Sequence, residues 1–191
     1  MRIGVLALQG AFTEHEKMLR QIGVECFQIR QLSDLDGGID GLVLPGGEST
    51  VMSRLLRDLG LYEPLKNAIL DGMPVLATCA GAILLAQEVD GGVPCFATVP
   101  MKVKRNAYGR QLGSFVCEAE VEGIGIYPMR FIRAPYIAEA SEKVRTLAGV
   151  DEKIVATEYG SQTVLSFHPE LTEDKRIHEY FAKRVQAFCS R

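Results

Sequence analysis

Cys79 stands in the run Pro74-Val75-Leu76-Ala77-Thr78-Cys79-Ala80-Gly81-Ala82-Ile83, where an apolar strand pattern passes through small residues into a helical one. A nucleophile on such a turn projects above the carboxyl edge of a parallel sheet, where open α/β folds bind ligands. The start of the following helix favours a thiolate and presents backbone N–H groups, that of Ala80 first, to a developing oxyanion. Taken alone, the pattern also suits a small buried cysteine at a tight junction. A second run tips the balance: Val164-Leu165-Ser166-Phe167-His168-Pro169-Glu170. An apolar strand delivers His168 and Glu170 two residues apart, so both project to one side if the extended conformation persists. Pro169 favours that conformation at His168. A histidine with a carboxylate to orient it is what a cysteine nucleophile requires, and the three together point to hydrolysis of an acyl compound.

A third run, Leu44-Pro45-Gly46-Gly47-Glu48-Ser49-Thr50, places glycines at a strand end. They let backbone N–H groups approach a ligand, and the Ser/Thr region is placed to cap the next helix. The N–H of Gly47 is the candidate for a second oxyanion donor. The run has no lysine and no P-loop spacing, so nucleotide phosphate is a poor ligand for it. The other two histidines, His15 and His178, fall on expected helices and are assigned structural roles. His178 adjoins the apolar stripe at Ile177 and Phe181, at a boundary or on the surface. His15 is less clear because it follows the Gln9-Gly10 turn.

These residues need a frame, and the hydrophobic pattern supplies one. Strands are expected over 3–8, 24–29, 41–44 and 74–78, alternating with helices over 12–22 (closed by Gly23), 49–59, 62–70 and 80–88. That alternation predicts a mostly parallel sheet covered on both faces. From Gly91 to Phe131 the pattern is strand-like and punctuated by glycine, as in an antiparallel ribbon or extended sheet edge. Segments 154–158 and 163–167 resemble a hairpin joined at Gly160-Ser161. A last helix over 173–188 carries Ile177, Phe181, Val185 and Phe188 on one face, with Glu173 and Asp174 in its first turn. There is no internal repeat or linker, so a single domain over residues 1–191 is expected.

Composition narrows the function classes. The chain has 191 residues, 47% hydrophobic and 24% charged, with a formal net charge of −3. Its signs are mixed, which gives no footprint for nucleic acid and no polybasic face for a membrane. The opening apolar run is too short for a signal-peptide core and reads as the first strand. Five cysteines, odd in number and widely spaced without a Cys-x-x-Cys pair, indicate neither a disulfide framework nor a zinc site. Reduced thiols in the cytoplasm, no metal and no cofactor are the expectation.

Cys79 within Thr-Cys-Ala-Gly, followed late in the chain by His-Pro-Glu, resembles the triad (class I) glutamine amidotransferases. The runs Gly4-Val5-Leu6-Ala7-Leu8-Gln9-Gly10, 45–50, Arg105-Asn106-Ala107-Tyr108-Gly109-Arg110-Gln111, Phe131-Ile132-Arg133-Ala134-Pro135 and 166–172 are similar, in that order, to the glutaminase subunits of pyridoxal 5′-phosphate synthase complexes. Residues 93–101 and Ala82 depart from that pattern, neither at a triad position. The resemblance implies a three-layer, flavodoxin-like α/β fold and L-glutamine as substrate. It implies Cys79, His168 and Glu170 as the triad, and an oxyanion hole from Gly47 and Ala80. It further implies glutamine binding by Gly47, Glu48, Ser49, Arg105, Ile132 and Arg133, with an arginine suited to the α-carboxylate. The partner implied is a synthase subunit that takes the ammonia and combines it with a pentose phosphate and a triose phosphate. Docking would switch the glutaminase on, with Gln9, Gly10 and the turn over residues 45–49 at or near the interface. A glutaminase serving another synthase, such as the histidine-pathway cyclase, shares the triad. A non-enzymatic flavodoxin-like domain with a reactive elbow cysteine would not need His168 and Glu170 paired.

Overall fold

The computed structural model describes residues 1–105 and 114–190. Strand and helix alternate through the first half: β1 (Ile3–Leu6), α1 (Phe12–Gln21), β2 (Cys26–Ile29), β3 (Gly41–Leu44), α2 (Ser49–Asp58), α3 (Tyr62–Leu70), β4 (Val75–Thr78) and α4 (Ala80–Leu85). Strands dominate the second half: β5 (Ala86–Asp90), β6 (Val99–Lys104), β7 (Ser114–Val121), β8 (Gly125–Ile132), β9 (Tyr136–Ala140), β10 (Arg145–Val150), β11 (Lys153–Tyr159) and β12 (Gln162–Leu165). The helix α5 (Arg176–Cys189) follows.

Among the described residues the main sheet runs β2-β1-β3-β4-β12-β11-β9-β6-β5, with β10 added on β11. The segment from β2 to β12 is parallel throughout; β11 pairs antiparallel with β12, and β9 antiparallel with β11 and β6. This is the expected α/β fold with an antiparallel extension.

Buried parallel strands read as continuous apolar runs because both faces are covered. Here β1, β3, β4 and β12 are buried at every residue. Alternate side chains enter different cores. Leu42, Leu44, Val75, Ala77 and Val164 pack with Met52 and Leu56 of α2, Leu65 and Ile69 of α3, and Leu84 of α4. On the other face Ile3, Val5, Val43, Leu76 and Leu165 pack with Leu19 of α1 and Ile177, Phe181 and Val185 of α5. The result is three layers.

The hairpin β7–β8 lies outside the main sheet and covers the second core with Tyr127, Met129 and Phe131. Its aromatic rings meet Phe167, with centroids 6.0 Å away for Tyr127 and 5.8 Å for Phe131. Arg176 ties it down further, donating to the carbonyls of Ile124 and Ile126 at 2.9 and 2.7 Å.

Three expectations need correction. The helix expected over 80–88 stops at Leu85, because residues 86–90 pair with β6 and tertiary pairing overrides their helix propensity. The last helix starts at Arg176 rather than 173: Asp174 accepts from the Arg176 N–H at 3.0 Å, so the acidic pair precedes the helix instead of forming its first turn. Strands β9 and β10 were not anticipated. The hairpin of β11 and β12 forms at the expected Gly160-Ser161 loop, with Gly160 at φ +56°.

Phe167 is fully buried and joins hairpin to sheet. Phe167→Ala is expected to cost about 3–5 kcal/mol of stability, against about 0.5 kcal/mol or less for exposed Val116→Ala. Equilibrium urea unfolding reads the difference, and equal midpoints for the two variants would contradict this packing.

Candidate active site

Strands β1, β3, β4 and β12 are neighbours with their carboxyl ends at one edge, so the segments that leave them converge. They surround a cleft of about 720 Å³, within the range of small-molecule sites. Gln9, Gly10, Gly47, Glu48, Ser49, Cys79, Ala80, Arg105, Ile132, Arg133 and His168 all line it. Glu170 is buried behind His168. The structure thus brings together every residue singled out from the sequence, except that Asn106-Ala107-Tyr108-Gly109-Arg110-Gln111 lies outside the described residues.

Cys79 joins β4 to α4 with φ +49° and ψ −101°, a conformation unusual for a residue with a side chain. Such strain costs on the order of 1–3 kcal/mol and persists only where the surroundings over-determine it. Here the Cys79 N–H donates to the Leu165 carbonyl at 2.8 Å, and the Cys79 carbonyl accepts from Ala82 at 3.1 Å. Gly81 permits the turn to seat, since a Cβ there would collide with the Leu44 carbonyl oxygen. The thiol is almost buried, its Sγ 3.9 Å from the Ile132 carbonyl oxygen.

The backbone after β12 does not stay extended through Glu170, as the two-residue spacing had implied. His168 is the last residue before a 3₁₀ turn over Pro169–Leu171. Proline favours the first position of such a turn, because its φ is already set and its missing N–H is not needed there. The turn nevertheless carries Glu170 Oε1 to 2.6 Å from His168 Nδ1. The His168 N–H donates to the Arg130 carbonyl at 2.8 Å, which couples the histidine to β8. Its ring lies over Gly46, where any Cβ would overlap Cε1.

The charges follow from this packing. Burial disfavours the His168 imidazolium, but its interactions with Cys79 and Glu170 outweigh that and push its pKa up to about 10. Burial would likewise raise the Glu170 carboxyl, yet the neighbouring His15 and His168 hold it below the ordinary carboxylate range. A carboxylate and an imidazolium are therefore paired beside the thiol.

Opposite them, Glu48 caps α2, a role expected of the Ser/Thr region instead. Its carboxylate accepts from the N–H groups of Thr50 at 3.3 Å and Val51 at 3.0 Å, and Arg105 lies 3.3 Å from Oε1. Glutamate performs this capping because its oxygens reach the N2 and N3 donors from an extended backbone. Gln9 Oε1 accepts from the Glu48 N–H at 2.6 Å, and the Gly46 carbonyl accepts from Ala11 at 3.0 Å. These two bonds set the peptide planes on either side of Gly47.

Sequence reasoning passed over His15 and His178, and His178 is neither boundary nor surface. Both are fully buried. His15 Nε2 lies 3.2 Å from Thr78 Oγ1 and 3.3 Å from Glu170 Oε2, and His15 Nδ1 lies 3.0 Å from His178 Nε2. The signal available was position: His15 is in the first turns of α1, just after the Gln9-Gly10 segment at the sheet's carboxyl edge.

Comparison with known proteins identifies the family. The SNO glutamine amidotransferase family matches the chain over residues 5–187. A pyridoxal 5′-phosphate synthase subunit PdxT of Methanocorpusculum labreanum is 57% identical over 185 residues, covering 97% of this chain and 98% of that one. The subunit of the same name from Desulfitobacterium hafniense is 56% identical over 186 residues, covering 97% and 94%. A crystal structure described as a glutamine amidotransferase superposes with a TM-score of 0.91 at 41% identity, covering 96% of this chain and 98% of that chain. With relatives aligned nearly end to end and the fold shared throughout, the chain belongs to the SNO glutamine amidotransferase family.

Proposed function

We propose that this chain hydrolyses L-glutamine to L-glutamate and ammonia, as the glutaminase subunit of a pyridoxal 5′-phosphate synthase. The observation that carries the chemistry is the strained Cys79 beside a His168 whose Nδ1 is held at 2.6 Å by Glu170. The family and its relatives supply the substrate and the destination.

The Cys79 thiolate attacks the side-chain carbonyl carbon of glutamine, and the carbonyl π electrons move to oxygen. The N–H groups of Gly47 and Ala80 hold that oxyanion. As the tetrahedral intermediate collapses, the C–N bond breaks and the His168 imidazolium protonates the departing nitrogen, leaving ammonia and a glutamyl thioester. Neutral His168 then takes a proton from water as it attacks the thioester. Collapse breaks the C–S bond, restores the thiolate and imidazolium and releases the γ-carboxylic acid, which loses its proton to solvent as glutamate. Glu170 orients the ring and stabilises its charged form.

Two arginines flank the cleft, and they are not equivalent. Arg105 is engaged by Glu48, whereas Arg133, at φ +45°, has no carboxylate partner among the described residues. Arg133 therefore binds the glutamine α-carboxylate. Ser49, Glu48 and the Ile132 carbonyl complete the substrate contacts.

The ammonia passes to a synthase subunit that condenses it with a pentose phosphate and a triose phosphate. Docking of that subunit near Gln9 and Gly10 raises glutaminase activity through the 46–48 turn. Among the described residues no helix is long and apolar enough to cross a membrane, and all five cysteines are free. A free nucleophilic thiol and a substrate drawn from central metabolism support a cytoplasmic reaction.

Cys79→Ala is expected to lower ammonia release from glutamine by roughly 10³-fold or more, measured with the synthase subunit present; wild-type turnover would remove Cys79 from the mechanism. Arg133→Ala should raise KM for glutamine roughly 10- to 100-fold, the loss of one charge-assisted contact, while kcat changes little. A larger KM effect from Arg105→Ala would reverse the assignment. In a ¹⁵N-detected titration the His168 ring should stay protonated through neutral pH and titrate near 10. Glu170→Gln removes the charge that favours the imidazolium and weakens the hydrogen bond to it, so the midpoint should fall; an unchanged midpoint would separate Glu170 from the histidine.

A further inference from the structure

The buried pair His15 and His178 takes no part in the mechanism above, yet it abuts the proposed triad. Both rings are shut off from solvent, and their centroids are 5.2 Å apart. A buried imidazole that only filled space would be replaced at no cost by an aromatic or aliphatic side chain. These two instead direct ring nitrogens at one another and at Glu170.

The proton positions follow from the neighbours. His15 Nε2 lies 3.3 Å from the Glu170 Oε2 carboxylate oxygen, so a lone pair there would face a negative charge. Nε2 therefore carries the proton, which it donates to Thr78 Oγ1 at 3.2 Å while presenting the positive end of the N–H bond beside Oε2. Burial holds His15 in the neutral form despite Glu170, so Nδ1 is an acceptor. At 3.0 Å from it, His178 Nε2 must donate. That leaves His178 Nδ1 as a bare lone pair, in keeping with its having no partner. One tautomer of each ring accounts for the contacts of His15 with Thr78, Glu170 and His178, and the second histidine sets the first.

Glu170 is the group this serves. Oε1 is occupied by His168, whereas Oε2 is buried without a hydrogen-bond partner among the described residues, and its close polar neighbour is His15 Nε2 at 3.3 Å. An ionised carboxylate in such a place is costly unless each oxygen meets a donor or a charge. A partial rotation of Glu170 about its terminal bond would also swing Oε1 away from His168. Contact with His15 opposes both.

The geometry points to His15 as a positioning residue for the proposed triad, holding Glu170 ionised and oriented through Nε2–H, with His178 fixing the tautomer of His15. The inference rests on the glutaminase reading only for its kinetic readout. The groups that face His15 are Glu170 and His168 from the segment after β12, His178 from α5, Thr78 from β4 and Glu14 from α1.

The test compares His15→Phe, which keeps a ring but no donor, with His15→Gln, whose amide places a donor near the Nε2 position. Glutamine turnover is measured with the synthase subunit present, and the Glu170 carboxyl is titrated by ¹³C NMR in the isolated chain. His15→Phe should lower kcat roughly 10- to 100-fold, the range for removing a residue that orients a reactive group's partner. KM should stay near wild type, and both the acid limb of the rate profile and the Glu170 midpoint should move to higher pH. His15→Gln should restore much of kcat and of the midpoint. His178→Leu should shift both in the same direction by a smaller factor, and it decides the matter if His15→Phe fails to fold. Wild-type kcat and Glu170 titration in the folded variants, or equal impairment by Phe and Gln, would overturn the proposal. If wild type released no ammonia from glutamine, the glutaminase reading would fail while the Glu170 titration still judged this one.

Discussion

The pairing of β4 with β12 is the constraint from which the site follows. The two strands are far apart in the chain but adjacent and parallel in the sheet, with Thr78 opposite Leu165. Their ends are flush, so the residues that leave them emerge side by side. The same register aims the Leu165 carbonyl at the N–H of Cys79, and that bond helps to hold the cysteine in its strained turn. A one-residue slip would turn every β12 side chain to the opposite face and carry His168 away from Cys79. Burial on both faces forbids the slip, because Val164 and Leu165 belong to different cores.

Bringing a histidine and a carboxylate under the sheet edge creates an electrostatic demand that packing alone cannot meet. Desolvation acts against the charged form of both His168 and Glu170. Each is kept charged by the other and by a further neighbour: the Cys79 sulfur for His168, His15 for Glu170. The hairpin β7–β8 supplies the cover that makes the site so dry, through Tyr127 and Phe131 on Phe167 and through the Arg130 carbonyl on the His168 N–H. Stability of the outer hairpin and protonation of the buried histidine are thus coupled through residues 167 and 168.

What the sequence disclosed and what it hid divide along physical lines. Cys79 was legible because an apolar run followed by small residues specifies a strand, a tight turn and a helix locally. His168 and Glu170 were legible as partners, but their geometry was not: proline's preference at the first position of a 3₁₀ turn prevailed over the extended pattern. The parallel core was legible from apolar runs, whereas β5 was hidden, since its residues become a strand only by pairing with β6. Glu48 as a cap was obscured by the adjacent Ser49 and Thr50, which have the more usual chemistry for it. The environment of His15 was invisible, because it depends on three other elements meeting α1 at one point, and no local pattern encodes that meeting.

The two sides of the cleft are held by different kinds of contact, and this bears on how a partner could act. The nucleophile side is locked from within, by the β4–β12 register and by a carbonyl that leaves Gly81 no room for a side chain. The opposite side, carrying the proposed Gly47 donor, depends on the segment after β1. Ala11 holds the Gly46 carbonyl and Gln9 holds the Glu48 N–H, with exposed Gly10 between them at φ +97°. Any Cβ on Gly10 would collide with the Gly46 carbonyl oxygen, so the two segments pack backbone against backbone. A subunit that docks on this exposed segment, as proposed, would reach the oxyanion side through two hydrogen bonds and leave the sheet undisturbed. Under the proposed mechanism, sensitivity to the partner therefore belongs to the stabilisation of the tetrahedral intermediate, while Cys79, His168 and Glu170 are assembled by the fold itself.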